Sequence, residues 1–457
     1  MLWRSISFLA ALLLCSAAPT NITEHAFATS GTFNVLSLSV NGLPDVLDPL
    51  GASGAEKNLN TKYMGIALSH YDYGVVNVQK DFNYHTMLYQ HDNHPFRTKF
   101  SGGVLHGSGL NTLSKYSWID FSRTRWEWCS NESRSEYNCM LHKGFTFMRV
   151  RINEGVYIDM INLHADSGIK PGDEEARCWN IPQVSEYISA NSVGNAVIVF
   201  GNTNSRYTRS KDNLDLFISQ NSLTDAWVQA NKGKVPAVGT DAIVCPKEVP
   251  SNISCEVVDK VFYRGSPAIN LDSLGFFYDT SRFLSPKGKM LTDHHPVRVD
   301  FEYTLRNGLR QSDLYGGPHA TWFNDLPSVH PLSKLAFIVL CGASRLDSLV
   351  LKLESGEIFT HGGSGGDCYL LLLRPKEYIT SVKLCWGKKR AHTRIFYARA
   401  STNTGRPIRA GTTTNYCAIA NAPAGYGVVG AYGKAGDEMD LLGFIYAQQC
   451  VVGKLCN

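Results

Sequence analysis

Polar side chains that could do chemistry follow buried strands at five places in the first 300 residues. Each group begins where an apolar run ends, and several contain histidine together with aspartate. Layered α/β proteins build their sites from polar side chains gathered at strand ends. One such group would carry little weight, but five predict a shared site. The groups occupy residues 37–44, 78–85, 162–166, 201–206 and 292–297.

Buried strands with interspersed helices must position these groups. Several apolar runs are continuous, which indicates strands covered on both faces. A helix is predicted to begin at Pro171 with an acidic first turn, and Pro182 would break or restart it. A second helix is predicted over 212–221, with Asp212 as its cap. These elements predict an α/β layered sandwich. The predicted strands are 33–40, 73–78, 144–152, 156–163, 196–200, 256–263 and 297–303.

The texture of the sequence changes near residue 312. Residues 306–312 are polar and glycine-bearing, so we expect a linker between a first domain at 30–305 and a second at 313–449. The second domain alternates short β-rich runs with Gly, Ser, Thr and Asn clusters, which is typical of an all-β fold. Residues 450–457 are expected to form a tail.

The N-terminus predicts export. Residues 1–18 have a short basic region, an apolar run and small residues after it, so we interpret them as a signal peptide. Sequons at Asn21, Asn131 and Asn252 favour a secreted, extracellular glycoprotein. A net charge of +4 does not argue for a nucleic-acid partner, although it does not exclude one. No later segment is long and apolar enough to predict a membrane span.

Twelve cysteines suit an oxidising compartment. Loss of Cys15 with the signal peptide would leave eleven, an odd number. The local pairs Cys129/Cys139 and Cys245/Cys255 would close short loops, and Cys178 is our candidate for an unpaired, buried thiol. Spacing alone does not fix the connectivity.

The first domain resembles the endonuclease/exonuclease/phosphatase superfamily, which includes DNase I and the secreted sphingomyelinases. The resemblance covers roughly residues 32–302 and is carried by the strand-end groups and by the runs at 82–85, 101–103, 109–114 and 204–209. It implies a DNase I-like fold that hydrolyses phosphodiesters with Mg²⁺. In that family a His–Asp pair activates water, and a second His stabilises the transition state.

Four residues match the family pattern. The resemblance implies that His164 contacts the phosphoryl group and that Asn204 is the motif asparagine. It makes His294 the general base and Asp293 its orienting or metal-side acid. For the other histidines, His85, His91, His94 and His106, the motifs give less support, and a structural role is favoured for the last three.

Three positions depart from the pattern. Ser39 stands where the family has Asn, Lys80 replaces the metal-binding Glu, and Asn202 replaces an Asp. A divalent ion prefers anionic oxygens, and these exchanges make the site about three charge units more positive. Lys80 could instead bind a phosphate directly. A residual metal site would use Asp293, Asn204 and another carboxylate such as Asp81.

The second domain resembles the jacalin-related lectins. The resemblance is carried by Tyr315-Gly-Gly, by the glycine-rich loop at 361–366 and by the run at 429–446. It implies an all-β β-prism of three four-stranded sheets and a glycan partner. A carboxylate can accept both protons of a sugar hydroxyl pair while loop N–H groups donate. The candidate carbohydrate-binding residues are Gly316, Gly317, Gly436, Asp437, Glu438 and Asp440.

The sequence leaves two functions open. One is a secreted carbohydrate-binding protein whose phosphodiesterase-like domain has lost catalysis but still binds phosphodiester or phospholipid head groups. The other is an active Mg²⁺-dependent phosphodiesterase that its lectin domain directs to glycosylated surfaces. The first gains if Lys80 points into the cleft, and the second if Lys80 points out and Asp81 points in. The aromatic stretch 116–128 would contact lipid or lie buried beside Cys129.

Overall fold

The computed structural model describes residues 28–49, 51–132 and 138–449. The predicted signal peptide at 1–18, the Asn21 sequon and the predicted tail at 450–457 therefore lie outside the described residues. The described residues of the first domain form twelve strands: β1 (Ser30–Ser39), β2 (Val75–Gln79), β3 (Phe96–Arg97), β4 (Asn111–Ser114), β5 (Trp118–Arg125), β6 (Gly144–Asn153), β7 (Val156–His164), β8 (Ala196–Asn202), β9 (Thr224–Asp225), β10 (Asp259–Arg264), β11 (Ile269–Tyr278) and β12 (Val297–Leu305). Its helices are α1 (Gly54–Tyr71), α2 (His85–His91), α3 (Pro171–Asn191), α4 (Asp215–Ser219) and α5 (Ala226–Ala230).

Two six-stranded sheets pack face to face in this domain. One has the order β11-β12-β1-β2-β4-β3 and the other β5-β6-β7-β8-β10-β9. The central pairs β1–β2 and β7–β8 are parallel, so their carboxyl ends meet at the same edge. Buried amides join the sheets near that edge: Asn77 donates to the Phe200 carbonyl at 3.0 Å, and Gln79 donates to Asn162 Oδ1 at 2.8 Å. This is the α/β sandwich that the sequence predicts, and it fixes the strand-end groups relative to one another.

The helices differ from the prediction. Three of them, α1, α2 and α5, were not predicted, and α1 buries Met64 and Leu68 against the outer face of the first sheet. Pro182 lies inside α3 without ending it. The predicted helix at 212–221 is shortened to α4, and Asp212 does not cap it. Asp212 instead accepts hydrogen bonds from Arg177 Nε and from the Arg206 amide, both at 2.8 Å.

The second domain is a β-prism of three antiparallel sheets. One sheet has the order β13-β25-β24-β15, with β14 also paired to β25, and the others are β18-β17-β16-β19 and β22-β21-β20-β23. The strands are β13 (Leu309–Gln311), β14 (Tyr315–Gly316), β15 (Thr321–Asn324), β16 (Leu335–Gly342), β17 (Leu346–Leu353), β18 (Ile358–Gly362), β19 (Asp367–Leu372), β20 (Ile379–Lys389), β21 (His392–Thr402), β22 (Pro407–Gly411), β23 (Tyr416–Asn421), β24 (Tyr426–Ala435) and β25 (Met439–Gln448). Strand β13 lies within the segment expected as a linker and pairs with residues 445–447.

The two domains share a buried interface. Arg151 forms a two-point ion pair with Asp313, at 2.9 and 2.8 Å. The guanidinium of Arg149 lies 3.4 Å from the ring centre of Trp322, and one hydrophobic core continues from the sandwich into the prism. The contacts involve the start of β7, whereas His164 ends that strand. The lectin-like domain is therefore attached at the sheet edge opposite the strand-end groups.

Disulfide bonds cross-link segments within both domains. Cys129–Cys139 and Cys245–Cys255 are formed as the sequence predicts, and Cys178 carries a free thiol that is half-buried. Two further bonds were not foreseen from spacing: Cys341–Cys368 and Cys385–Cys417 each link neighbouring strands. Across the described part of the chain, none of the helices has the length and apolarity that a membrane crossing requires.

Candidate functional site

The carboxyl ends of the central strands open into a cleft in the first domain. A cavity of about 420 Å³ is bounded by the loops before β10 and β12, and its wall includes Asp259, Asp293 and His294. The segment around Val244 and Lys247 forms the outer side of the same cavity. The cleft is thus polar at its base and partly apolar at its rim.

Lys80 points into this cleft. It directly follows β2, in a left-handed backbone conformation with φ of 56°. Its Nζ lies 3.0 Å from Asp293 Oδ2 and 3.4 Å from His294 Nε2. Burial would raise the pKa of Asp293, but the charges of Lys80 and His294 hold it well below its usual range. Lys80 is therefore ion-paired with Asp293 and within contact distance of His294.

His294 has an orienting partner that the sequence analysis did not identify. Its Nδ1 lies 2.7 Å from Asp259 Oδ2, and Asp259 is the first residue of β10. Burial would lower the pKa of His294, but Asp259 and Asp293 raise it. The sequence offered only an acidic residue inside the predicted strand 256–263 as a signal for Asp259. Sequence alone did not show that this strand end faces His294.

His164 lies at the base of the site, fully buried at the end of β7. Among the described residues, neither of its ring nitrogens has a hydrogen-bond partner. Burial, followed by the charges of Lys143, Lys80 and His294, lowers its pKa well below the usual value, so the ring is neutral at physiological pH. Its carbonyl accepts a 2.8 Å hydrogen bond from the Trp126 indole.

The amide and hydroxyl positions, Asn202, Asn204 and Ser39, lie at or just after the ends of the central strands β8 and β1. Asn202 Oδ1 accepts from the Asn204 amide at 2.9 Å, while its buried Nδ2 has no partner within the described chain. Asn204 adopts a left-handed conformation, φ 51°, and its side chain donates to the Ala165 carbonyl. Ser39 is buried, and its hydroxyl oxygen is likewise unpartnered in that part of the chain.

Asp81 and the other candidate histidines make contacts outside the Asp293–His294 site. Asp81 Oδ2 contacts His85 Nδ1 and Asn111 Nδ2, both at 2.7 Å, and the carboxylate is buried. His91 bonds a carbonyl of its own helix, and His94 bridges Asp92 and the Tyr73 carbonyl. His106 is exposed. The structure therefore does not bring Asp81 together with Asp293, which the residual metal site would need.

The aromatic stretch 116–128, which was expected either to contact lipid or to lie buried, is partly buried and partly exposed. Trp118 and Phe121 pack against the main core, and Trp126 is buried. Trp128 is 55 % exposed.

The donor set around Asp293 does not fit a divalent ion. The side chains in contact with it are those of Lys80, His294 and Thr292, and its carboxylate is already ion-paired with Lys80. Divalent ions require several anionic or carbonyl oxygens in one shell. Within residues 28–49, 51–132 and 138–449, no three His, Cys, Asp or Glu side chains are grouped to hold a metal.

The second candidate site lies at one end of the prism. Gly316 has φ 117°, and a Cβ there would lie 2.1 Å from the Asp440 carbonyl, so glycine is required. The Gly317 amide donates to that same carbonyl at 2.8 Å. Gly436 and Asp437 are exposed in the tight turn between β24 and β25. The structure thus brings all of the predicted sugar-binding residues to one loop cluster.

Both Asp440 and Glu438 of this cluster are ion-paired with basic side chains. Asp440 is 2 % exposed and ion-paired with Arg394, whose role the sequence did not suggest. Glu438 accepts from Arg345 Nη2 at 2.7 Å and from Lys389 Nζ at 2.6 Å. Hydrogen bonds from Arg345, opposed by burial, and a further bond from Lys389 lower the pKa of Glu438 to about 2. A sugar can reach the Asp440 oxygens only if Arg394 moves.

Comparison with known proteins identifies the two classes of domain. Residues 50–231 match the family model "Endonuclease/Exonuclease/phosphatase family 2", and residues 312–445 match the "Jacalin-like lectin domain". The chain therefore joins a domain of the endonuclease/exonuclease/phosphatase class to a jacalin-like lectin domain.

Curated relatives match the first domain. A protein named "Sphingomyelinase" from Mycobacterium tuberculosis strain H37Rv is 35% identical over 285 residues, which is 61% of this chain and 54% of the relative. The chain thus matches about half the length of that protein. "Secreted RxLR effector protein 19" of Plasmopara viticola is 27% identical over 165 residues, covering 33% of this chain and 92% of that protein.

Solved structures match each domain separately. A mannose-binding jacalin-related lectin from Ananas comosus is 25% identical and covers 31% of this chain and 99% of its own, with a TM-score of 0.28. Humanized D. rerio TDP2 is 16% identical and covers 59% and 98%, with a TM-score of 0.43.

Proposed function

We propose that this is a secreted carbohydrate-binding protein whose first domain binds phosphodiester head groups and has lost metal-dependent hydrolysis. The observation that carries the proposal is the Lys80–Asp293 ion pair at the position of the expected metal. The disulfides among the described residues and the similarity to a sphingomyelinase are compatible with export.

The ion pair opposes hydrolysis in two ways. It neutralises the carboxylate that would otherwise help to hold Mg²⁺. It also places an ammonium 3.4 Å from His294 Nε2, the nitrogen that would have to accept a proton from water. A base whose lone pair accepts a hydrogen bond from lysine, or is protonated, cannot activate water.

The same groups favour binding of a phosphodiester anion. Lys80 supplies positive charge, and the buried Asn202 Nδ2 and His164 ring are polar groups that face no described hydrogen-bond partner. An unsatisfied buried polar group costs roughly 1–3 kcal/mol. A bound phosphoryl oxygen would remove part of that cost, so binding can persist where water activation does not.

Hydrolysis assays test the loss of catalysis. Wild type is incubated with Mg²⁺ and sphingomyelin, a generic phosphodiester or plasmid DNA, beside the triple variant Ser39→Asn, Lys80→Glu and Asn202→Asp. We expect no turnover by wild type and a gain of at least about 100-fold in the variant, since electrostatic groups of this kind contribute on that order. Adding His294→Ala to the variant should abolish the gain.

A specific observation supports the alternative function, an active phosphodiesterase. The His294–Asp259 pair has the 2.7 Å contact of a working base and its orienting acid. Metal-dependent turnover by wild type that stops with His294→Ala would establish this alternative and refute the loss of catalysis.

We also propose that the lectin-like domain binds a glycan at the loops of Gly316, Gly317, Gly436, Asp437, Glu438 and Asp440. The Gly317 contact with Asp440 and the exposed turn at 436–437 support this placement. Calorimetric titration with simple hexoses tests it. If a hexose binds the Asp440→Asn variant as tightly as it binds wild type, this site is excluded.

A further inference from the structure

A long segment between α5 and β10 borders the cleft. Residues 231–254, here named the rim segment, form no helix or strand beyond a single bridge from Val244 to Glu256. The segment is anchored at its base by the Cys245–Cys255 bond, and the Trp227 indole donates to the Ile253 carbonyl at 2.8 Å. His295 Nε2 lies 2.7 Å from the Pro246 carbonyl. The rim segment is therefore tied to the cleft loop that carries His294.

The rim segment exposes an unusual share of aliphatic side chains. Proteins seldom leave adjacent apolar groups in water unless the surface contacts a partner. Five aliphatic residues within fifteen positions are more than two-fifths exposed: Val235 (51%), Val238 (62%), Ile243 (68%), Val244 (58%) and Val249 (43%).

This apolar surface is continuous with the cleft. Val244 lies in the wall of the 420 Å³ cavity that contains Asp293 and His294. The preceding residue, Ile243, lies with Val235 in the wall of a second cavity of about 560 Å³. An extended surface that contacts these aliphatic groups would also reach the cleft entrance.

The composition of the segment distinguishes between kinds of partner. It carries Lys232, Lys234 and Lys247, all exposed, against two acids, Asp241 and Glu248. It contains no arginine. Protein interfaces are enriched in arginine and depleted of lysine. Aliphatic groups among lysines fit the boundary of a bilayer, where lysines reach the head-group phosphates.

We propose that the rim segment docks onto a phospholipid surface and presents its phosphodiester head groups to the cleft. This inference rests on the proposed binding of phosphodiesters by the first domain. It adds the form of the ligand, a membrane rather than a free phosphodiester, and the residues that make the contact.

Vesicle sedimentation tests the proposal with the full chain. The vesicles contain phosphatidylcholine and sphingomyelin, with and without phosphatidylserine. We expect wild type to sediment with them and the double variant Val238→Glu, Ile243→Glu to bind at least about tenfold more weakly. The matched control is Ile358→Glu, which changes a similarly exposed aliphatic residue of β18 (58%) and should bind like wild type.

A soluble ligand separates this proposal from the one on which it rests. Binding of glycerophosphocholine should be unchanged in the double variant, because the cleft base is intact. If wild type binds glycerophosphocholine but not vesicles, or if the double variant sediments like wild type, the docking proposal is wrong and phosphodiester binding stands. If wild type binds neither ligand, both proposals fail. A double variant that retains vesicle binding but loses self-association would show instead that the segment contacts protein.

Discussion

The cleft and the lectin loops have the same electrostatic arrangement in different surroundings. In each, the carboxylate that the sequence predicts to bind metal or ligand is ion-paired with a basic residue: Asp293 with Lys80, and Asp440 with Arg394. The side chain of Asp293 is 44% exposed, whereas that of Asp440 is 2% exposed. The exposed pair can exchange partners with a ligand at small cost, while the buried pair is part of what holds the loops together.

The largest expected difference concerns stability. Arg394→Met leaves Asp440 buried without its cation, which should lower the free energy of unfolding of the second domain by about 3–5 kcal/mol. Chemical unfolding monitored by tryptophan fluorescence measures it. The control Lys388→Ala removes an exposed cation from the same hairpin and should change little. Equal effects of the two substitutions would contradict the account.

A smaller effect is expected in the pH dependence of the stability of the first domain. Burial, opposed by Lys143, raises the pKa of Asp166 to about 6, so the folded state binds this proton more tightly than the unfolded chain does. Its stabilising contribution is complete below about pH 4 and is lost as pH rises through 6. Asp166→Asn should remove roughly 2 kcal/mol of this dependence. Unfolding free energies measured from pH 4 to 7 would show a flatter profile, and an unchanged profile would contradict the assignment.

The lectin loops should respond to acid in the opposite sense. Because the pKa of Glu438 is lowered to about 2, its contribution is present above about pH 4.5 and is lost as pH falls toward 2. Glu438→Gln should cost roughly 1–2 kcal/mol at pH 7 and little at pH 2.5. Thermal unfolding at both pH values, compared with Asp437→Asn in the same turn, measures this difference.

The smallest expected effect is in the cleft. Lys80→Met breaks an ion pair that water already reaches, so it should change stability by less than about 1 kcal/mol. This is the matched counterpart of Arg394→Met, and the same unfolding measurement applies. A loss as large as that of Arg394→Met would mean that the Lys80 pair is structural and would weaken its assignment to ligand binding.

Much of this arrangement could be predicted from the sequence, and the failures have physical causes. Continuous apolar runs predicted β7 and β8, and the strand ends placed His164 and Asn202 together because β7 and β8 are parallel. The helix α1 was missed because its buried positions include Lys57, Thr61 and Gly65, which give no apolar stripe. Residues that act as partners, such as Asp259 and Arg394, were missed because their roles depend on contacts between segments distant in sequence.

Binding in the absence of metal tests the central claim most directly. Calorimetric titration of a soluble phosphodiester into wild type and Lys80→Glu is carried out in EDTA and then with Mg²⁺. If Lys80 has replaced the metal, wild type binds equally well in both conditions, while Lys80→Glu loses binding in EDTA and regains it with Mg²⁺. Wild-type binding that requires Mg²⁺ would contradict the account.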